Sequence, residues 1–374
     1  MRDVLVAATL LYITFLLWEG RGVRSARKKI DHVVHVNGTR GKSTVSRLIE
    51  AGLRAGGFRV FCKTTGTDPM TIDVNGYEEP IRRRGGTNIK EQIAILRRAA
   101  AQSAQVLVIE CMAITPELQE TSQHGILCAD IGVITNVRRD HTDVMGDTLP
   151  QIADALCHTV PRRGVLLTAE TVMAQRLKTA AERNGSRFVC AVARGDEGTL
   201  DFPENVALAL SVCEELGVPR ETALAGMQHF PRDPYALSIF RLGKATFIGG
   251  LSINDIQSIC MVWERLCAEH RWENCRLMLL VNNRGDRASR TQDMLCVCTK
   301  LRPAEVWLMG ASRGYMRRGL KRKLPDSAVR ILTSTADIKI KDLKEDQVIF
   351  AIGNIAGEGR KLMEYVQREG SFLV

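Results

Sequence analysis

The stretch Val33-Val34-His35-Val36-Asn37-Gly38-Thr39-Arg40-Gly41-Lys42-Ser43-Thr44 constrains the fold of this chain more than any other. A β-branched run stops at Gly38, Gly41-Lys42-Ser43 follows, and Val45 to Leu53 reads as a helix. The order is strand, tight loop, helix. Such a loop turns backbone N–H groups toward a phosphate, and the helix N-terminus adds positive potential. Lys42 then reaches the β/γ-phosphates, and the Ser43 hydroxyl can ligate Mg²⁺. The commoner phosphate loop has a further glycine two residues before Gly38, where this chain has Val36. The form here is Gly-Thr-x-Gly-Lys-Ser. An ordinary tight turn is the alternative, and the strand before and the helix after weigh against it.

The chain has 374 residues, enough for two domains and a terminal segment. It is 45% hydrophobic and 25% charged, as globular domains are, with a net charge of +10. A basic balance suits polyanionic ligands, acidic membranes or nucleic acid. Nucleic acid is the weakest of these, because aromatic residues are only 5% and no basic–aromatic platform occurs. The excess gathers after an N-terminal apolar run and again at Arg313 to Lys323. The eleven cysteines contain no Cys-x-x-Cys pair and no zinc-ligand spacing with the seven histidines, so buried thiols are expected.

Val4 to Trp18 is that apolar run, shorter than the ~20 residues that usually span a bilayer. It ends Leu-Leu-Trp-Glu, without the small residues of a cleaved signal. Arg21, Arg24, Arg27, Lys28 and Lys29 follow it and, by the positive-inside rule, keep the remainder in the cytoplasm. A short spanning or partner-docked helix is expected over residues 1–29, with the folded core beginning at the strand Val33–Asn37.

Residues 30–229 alternate strand and helix signals, the pattern of a mostly parallel sheet covered by helices. Phe58–Lys63, Gln105–Glu110 and Ile131–Thr135 read as strands, Asn88–Gln102 as an amphipathic helix, and Met70–Arg84 as a hairpin turning at Asn75-Gly76. Pro203–Leu216 and Pro219–Gln228 read as helices. Phe230-Pro231-Arg232-Asp233-Pro234 breaks the pattern, and residues 230–374 resume it as a smaller α/β domain. Lys42, Glu110 and His141 each follow the carboxyl end of a strand, where ligands of open parallel sheets bind. Glu110 ends an apolar strand, where a carboxylate needs a partner or a metal. A salt bridge or helix cap is the other account of Glu110. His141, flanked by Asp140 and Asp143, is a candidate for metal or phosphate contact.

Asn-Gly-Thr-x-Gly-Lys-Ser, Glu110, Ile134-Thr135-Asn136 with Asp140-His141, and Asn205 opening a helix resemble the central ATPase domain of the Mur ligase superfamily, which includes folylpolyglutamate synthases. A closer resemblance is to the ligase subunits of bacterial poly-γ-glutamate capsule synthesis. It is carried by the blocks 63–69, 83–89, 136–141, 283–287 and 352–357 and by the N-terminal hydrophobic helix, and it covers nearly the whole chain.

The resemblance implies an ADP-forming amide ligase that phosphorylates a carboxylate with ATP and joins glutamate to a growing poly-γ-glutamate chain. Asn37, Gly38, Thr39, Arg40, Gly41, Lys42, Ser43 and Thr44 would hold the phosphates, and Asn205 would contact adenine, unless it is simply an N-cap. Ser43 and Glu110 would hold one Mg²⁺ and His141 a second. Arg232 would reach the γ-phosphate from the second domain. Thr65, Arg84, Arg284, Asp286 and Arg287 would face the substrates. Membrane-embedded synthase or export subunits and the lipid bilayer are the implied partners, and the oligomeric state is open. Two departures stand out. The stretch Gly146–Pro161 has no lysine where many Mur ligases use a carbamylated one, and Ile248 to Asp255 lacks the usual acidic pair. A P-loop ATPase that energises export without making a bond, and a Mur or folylpolyglutamate-type ligase acting on another small acid, are the competing functions.

Overall fold

The computed structural model describes residues 2–66, 68–83, 85–197, 201–230, 232–233, 235–272, 274–285 and 288–373. The chain divides into two compact units, Met1–Arg232 and Asp233–Val374. Arg232 therefore closes the first unit, where the sequence pattern had assigned it to the second.

The first unit runs α1 (Arg2–Arg27), β1 (His32–Asn37), α2 (Lys42–Ala55), β2 (Val60–Thr64), β3 (Met70–Ile72), β4 (Glu78–Pro80), α3 (Lys90–Ala101), β5 (Val106–Glu110), α4 (Pro116–Glu120) and β6 (Ile131–Ile134). It continues with α5 (Thr142–Met145), α6 (Leu149–Cys157), β7 (Val165–Thr168), α7 (Ala174–Arg183), β8 (Arg187–Cys190), α8 (Pro203–Glu215) and α9 (Arg220–Met227). Its eight strands lie in the order β4-β3-β2-β5-β1-β6-β7-β8. The six from β2 to β8 are parallel, and the β3–β4 hairpin adds an antiparallel edge. β1 lies between β5 and β6, so the carboxyl ends of three neighbouring strands converge on the loop that follows it.

Alternation along β1 divides the core. Val34 and Val36 pack with Val45, Leu48 and Ile49 of α2 and with Val206 and Leu210 of α8. Val33 faces the opposite layer, with Ile95 and Leu96 of α3. His35 and Asn37 share that second face by parity and are both buried. They are satisfied there by side chains of α4 and of the π-helical turn Thr121–Leu127 that continues it. His35 Nδ1 lies 2.8 Å from Gln123 Oε1, and Asn37 Nδ2 donates to Gln119 Oε1 at 2.8 Å. Burial pushes the His35 imidazole down to about 4, because the charged form loses its water.

α1 overturns one expectation. Its apolar run from Val4 to Trp18 is exposed, but Val23 and Ala26 are buried beside Ile95 and Ala99 of α3. Arg27 pairs with Asp130 at 2.6 Å and donates to the Ile30 carbonyl at 2.8 Å. The core thus begins at Val23, one helical turn before α1 ends. At 26 residues α1 is ~39 Å long, and it is long and apolar enough to cross a membrane.

The second unit contains β9 (Ser238–Leu242), β10 (Ala245–Gly249), α10 (Ile256–His270), β11 (Arg276–Asn283), α11 (Ala288–Leu301), β12 (Glu305–Gly310), α12 (Arg313–Lys323), β13 (Ala328–Ile331), β14 (Gln347–Gly353), α13 (Glu358–Glu369) and β15 (Ser371–Phe372). The strand order is β13-β12-β11-β14-β10-β9-β15. Strands β10 to β14 are parallel, and β9 and β15 are antiparallel additions at one edge. The β9–β10 hairpin is absent from the sequence reading. Its turn at Gly243-Lys244 is short, and Arg241 and Lys244 interrupt the apolar signal. The unit has its own core around Phe247, Leu280, Trp307, Ile349 and Leu362.

Candidate active site

The loop after β1 is built as its residue pattern requires. Gly38 has φ +126°, and a Cβ there would lie 2.1 Å from Thr135 Oγ1 and 2.8 Å from the Thr135 amide nitrogen. Only glycine fits both the backbone and the space. Gly41 has φ +78° and precedes the first residue of α2, Lys42. Lys42 Nζ donates to the Gly38 carbonyl at 2.7 Å. It makes no ion pair among the described residues, so its charge is not neutralised by a carboxylate.

Ser43 and Glu110, far apart in sequence, meet: the Ser43 hydroxyl donates to Glu110 Oε2 at 2.8 Å. The Thr65 backbone N–H donates to the same oxygen at 2.7 Å. Glu110 is 2% exposed, and its Oε1 takes no hydrogen bond among the described residues. A buried carboxylate with one oxygen held and the other available, beside a serine hydroxyl, is a hard-oxygen donor set of the kind Mg²⁺ takes, since that ion keeps few protein ligands. Among the described residues, no three His, Cys, Asp or Glu side chains group closely enough to hold a metal by themselves. Ser43, Glu110 and the phosphates of a nucleotide would have to share it, and the residues fit that arrangement.

A second set of contacts ties the loop to the end of β6. Thr39 Oγ1 donates to Asn136 Oδ1 at 2.7 Å, the Arg40 N–H donates to the same oxygen at 3.1 Å, and Thr135 Oγ1 donates to the Arg40 carbonyl at 2.6 Å. Thr135 and Asn136 are loop-positioning residues that the sequence placed in a motif without a role. Arg40 reaches Asp140 Oδ2 at 3.3 Å. His141 sits in the left-handed region at φ 49°, with Nε2 3.7 Å from Asp140 Oδ2. A non-glycine residue held in that region marks backbone that its surroundings over-determine.

Asn205 lies at the loop but is not a helix cap. The N-cap of α8 is Phe202, and Asn205 is the third helical residue. Its Nδ2 donates to Asp201 Oδ1 at 2.7 Å, and a Cβ on Gly41 would come within 3.0 Å of its Oδ1. Asn205 thus borders the start of α2, beside the glycine loop.

Lys63 is a buried neighbour that sequence reasoning did not single out. It is fully buried on β2, 3.1 Å from Glu91 Oε1, and Arg83 Nε donates to the other Glu91 oxygen at 2.6 Å. Burial lowers its pKa, and the Glu91 carboxylate opposes that shift. An ammonium there betrays itself in sequence only as a lysine inside an apolar strand.

In the second unit, Arg284 follows the end of β11 and lines a small cavity with Asn254, Asn282, Arg290 and Asn354. Asn282 Nδ2 donates to the carbonyls of Asn354 and Ala356, at 3.2 Å for the latter. Asp255 caps α10 by accepting from the Ser258 N–H at 2.8 Å. Thr67, Arg84, Asp286 and Arg287 lie outside the described residues.

The sequence profile of the Mur ligase middle domain matches residues 36–202, and that of the poly-γ-glutamate synthase CapB C-terminal domain matches residues 235–369. The chain is 33% identical over 380 residues to the capsule biosynthesis protein CapB of Bacillus anthracis, covering 96% of this chain and 82% of that one. It is 34% identical over 367 residues to the PGA synthase CapB of Bacillus subtilis (strain 168), covering 92% and 93%. Among solved structures it resembles E. coli FolC in complex with ADP, with TM-score 0.72, 17% identity and 97% of both chains covered. It also resembles the bifunctional folylpolyglutamate synthase/dihydrofolate synthase of Yersinia pestis with AMPPNP and Mn, with TM-score 0.69, 16% identity and 97% of both chains covered. At that identity the likeness to solved structures is one of fold.

Proposed function

The chain belongs to the CapB family of poly-γ-glutamate synthases, in the Mur ligase superfamily, and is an ATP-dependent amide ligase; from that premise we propose that it activates a γ-carboxylate as an acyl phosphate and joins glutamate to it. The observation that carries this reading is the meeting of Ser43 with Glu110 beside the Lys42 loop. The ADP of the E. coli structure and the AMPPNP and Mn of the Yersinia structure support ATP with a divalent cation, which we take to be Mg²⁺.

A carboxylate and an ammonium at neutral pH form a salt, so the carboxylate needs a leaving group. A γ-carboxylate oxygen of the chain attacks the γ-phosphorus of ATP, and ADP leaves. The amine of glutamate, having lost a proton, attacks the acyl carbon, and inorganic phosphate leaves as the amide forms. In this scheme Lys42 leaves the Gly38 carbonyl for phosphate oxygens and stabilises the charge that spreads over them. Ser43 and Glu110 hold the Mg²⁺, which when bound neutralises phosphate charge. His141 would hold a second divalent cation, with Arg232 as a further phosphate contact. Asn205 borders the nucleotide. Thr65 in the first unit and Arg284 in the second are the substrate contacts we assign to each, and residues 233–374 form the module that receives the amine. The exposed run Val4–Trp18 and the cations after it hold the enzyme at the cytoplasmic face of the membrane, next to the subunits that carry the polymer out.

The test is ADP release by the purified full chain with ATP, Mg²⁺, a γ-glutamyl acceptor and single amino acids. The reading requires ADP and amide in equal amounts, both dependent on glutamate. Equal ADP release with no amino acid present would instead make the chain an ATPase that energises assembly.

A further inference from the structure

Helix α12 carries a surface that the catalytic reading leaves unused. Its sequence, Arg-Gly-Tyr-Met-Arg-Arg-Gly-Leu-Lys-Arg-Lys, contains no acidic residue. Met316 and Leu320 are buried and pin one face to the unit. At 100° per residue, Arg317, Lys321, Arg318 and Arg322 fill one arc on the opposite face, and all four are exposed. Lys323 is exposed at the last turn. None of the five makes an ion pair or hydrogen bond among the described residues. On three other helices a cation is paired within its own helix. Arg265 pairs with Glu269 on α10, Lys361 with Glu358 on α13, and Lys178 with Glu182 on α7.

Arg317–Lys321 and Arg318–Arg322 are like-charge pairs at i,i+4, an arrangement that destabilises a helix. The helix C-terminal dipole offsets part of that cost, but only for the last turn. The spacing is also informative. Residues four apart on a helix are separated by about 6 Å along its axis. A γ-linked glutamyl unit has five backbone bonds and, extended, advances about 6 Å per free carboxylate. Successive carboxylates of an extended chain alternate sides, so the two rows of cations match the polymer in charge density and not in register, and the polymer has one negative charge per residue.

We propose that the exposed arc of α12, Arg317, Arg318, Lys321 and Arg322, is a docking rail for the growing γ-linked polycarboxylate chain. The proposal rests on the reading of the enzyme as a poly-γ-glutamate ligase. The rail keeps a long chain associated between additions and is not needed for the chemistry on a short acceptor.

The experiment measures binding of a dye-labelled γ-linked oligoglutamate to the detergent-solubilised full chain, without nucleotide. Arg317→Gln/Arg318→Gln/Lys321→Gln/Arg322→Gln keeps good helix formers on an exposed face, and its melting temperature checks folding. Its oligomer affinity should fall about tenfold or more at low salt, and the wild-type affinity should weaken steeply as salt rises. The double variants Arg317→Gln/Lys321→Gln and Arg318→Gln/Arg322→Gln should show intermediate losses, which keeps the test decisive if the quadruple variant unfolds. ADP release with a γ-glutamyl dipeptide and glutamate should be unchanged, while polymer made from long acceptors should shorten. Unchanged oligomer affinity in the folded variants overturns the proposal. So does a variant that loses binding only to vesicles of phosphatidylglycerol and phosphatidylcholine, which would make the arc a membrane contact. Wild-type protein that binds the oligomer but shows no glutamate-dependent ADP release would refute the ligase reading and not the binding surface.

Discussion

Lys42, Ser43 and Glu110 do different work, and substitutions separate them. Lys42 is half-buried and bonded to a loop carbonyl, not to the core. Lys42→Ala should lower turnover about 10²–10³-fold and leave the melting temperature unchanged, which stopped-flow ADP release and calorimetry can test together. Glu110→Gln keeps an oxygen for the Ser43 hydroxyl and the Thr65 N–H but removes the charge. The Mg²⁺ concentration for half-maximal rate should rise, with a smaller rise for His141→Ala; an unchanged Mg²⁺ titration for both makes them structural. His35 gives a pH prediction of its own. Its folded pKa, about 4, lies below the 6.5 of a free imidazole, so the unfolded chain binds the extra proton first. The stability contributed by keeping it neutral is full above pH 6.5 and is lost as pH falls toward 4, a loss on the order of 3 kcal/mol. His35→Gln should flatten that part of the stability–pH curve in chemical denaturation, and an equally steep curve would assign the slope to other groups.

At the scale of elements, α1 has two jobs along one helix. Its first half is exposed and apolar, and its last turn belongs to the core through Val23, Ala26 and the Arg27–Asp130 pair. Removing residues 1–20 should give a soluble protein with unchanged stability. Removing residues 1–29 should cost about 3 kcal/mol, because a buried valine and alanine and a partly buried ion pair go with it. Urea unfolding of the two truncations distinguishes them, and equal midpoints would show that the last turn of α1 packs too weakly to matter. The strand-end residues show how much of the site was legible. Lys42 and Ser43 were readable because strand, loop and helix are contiguous in the chain. The Thr39–Asn136 and Thr65–Glu110 contacts were not, because parallel pairing of β1 with β6 and of β2 with β5 creates them from segments tens of residues apart.

At the scale of the whole molecule, each unit owns a core: one built around β1, α2 and α8, the other around β10, β11 and β14. Independent cores allow independent unfolding. Calorimetry should resolve two transitions. A non-hydrolysable ATP analogue with Mg²⁺ at a hundred times its Kd should stabilise the transition of the first unit by about 2.7 kcal/mol. A single transition that shifts as a whole would show that the units unfold as one.

The sequence alone established the class of the fold, the glycine loop between strand and helix, the strand-end carboxylate and the α/β character of both halves. Those features are written in short-range periods, two residues for a strand and 3.6 for a helix, and in glycines whose backbone no other residue adopts. Tertiary structure decided which oxygen of Glu110 is held and which is available, that Asn205 borders the loop without capping its helix, and that the core reaches back to Val23. It also set the strand order that brings β1, β5 and β6 together and closed the second sheet with β9 and β15. These depend on pairings between distant segments, whose register is fixed by packing on both faces of a sheet and leaves no local mark in the chain.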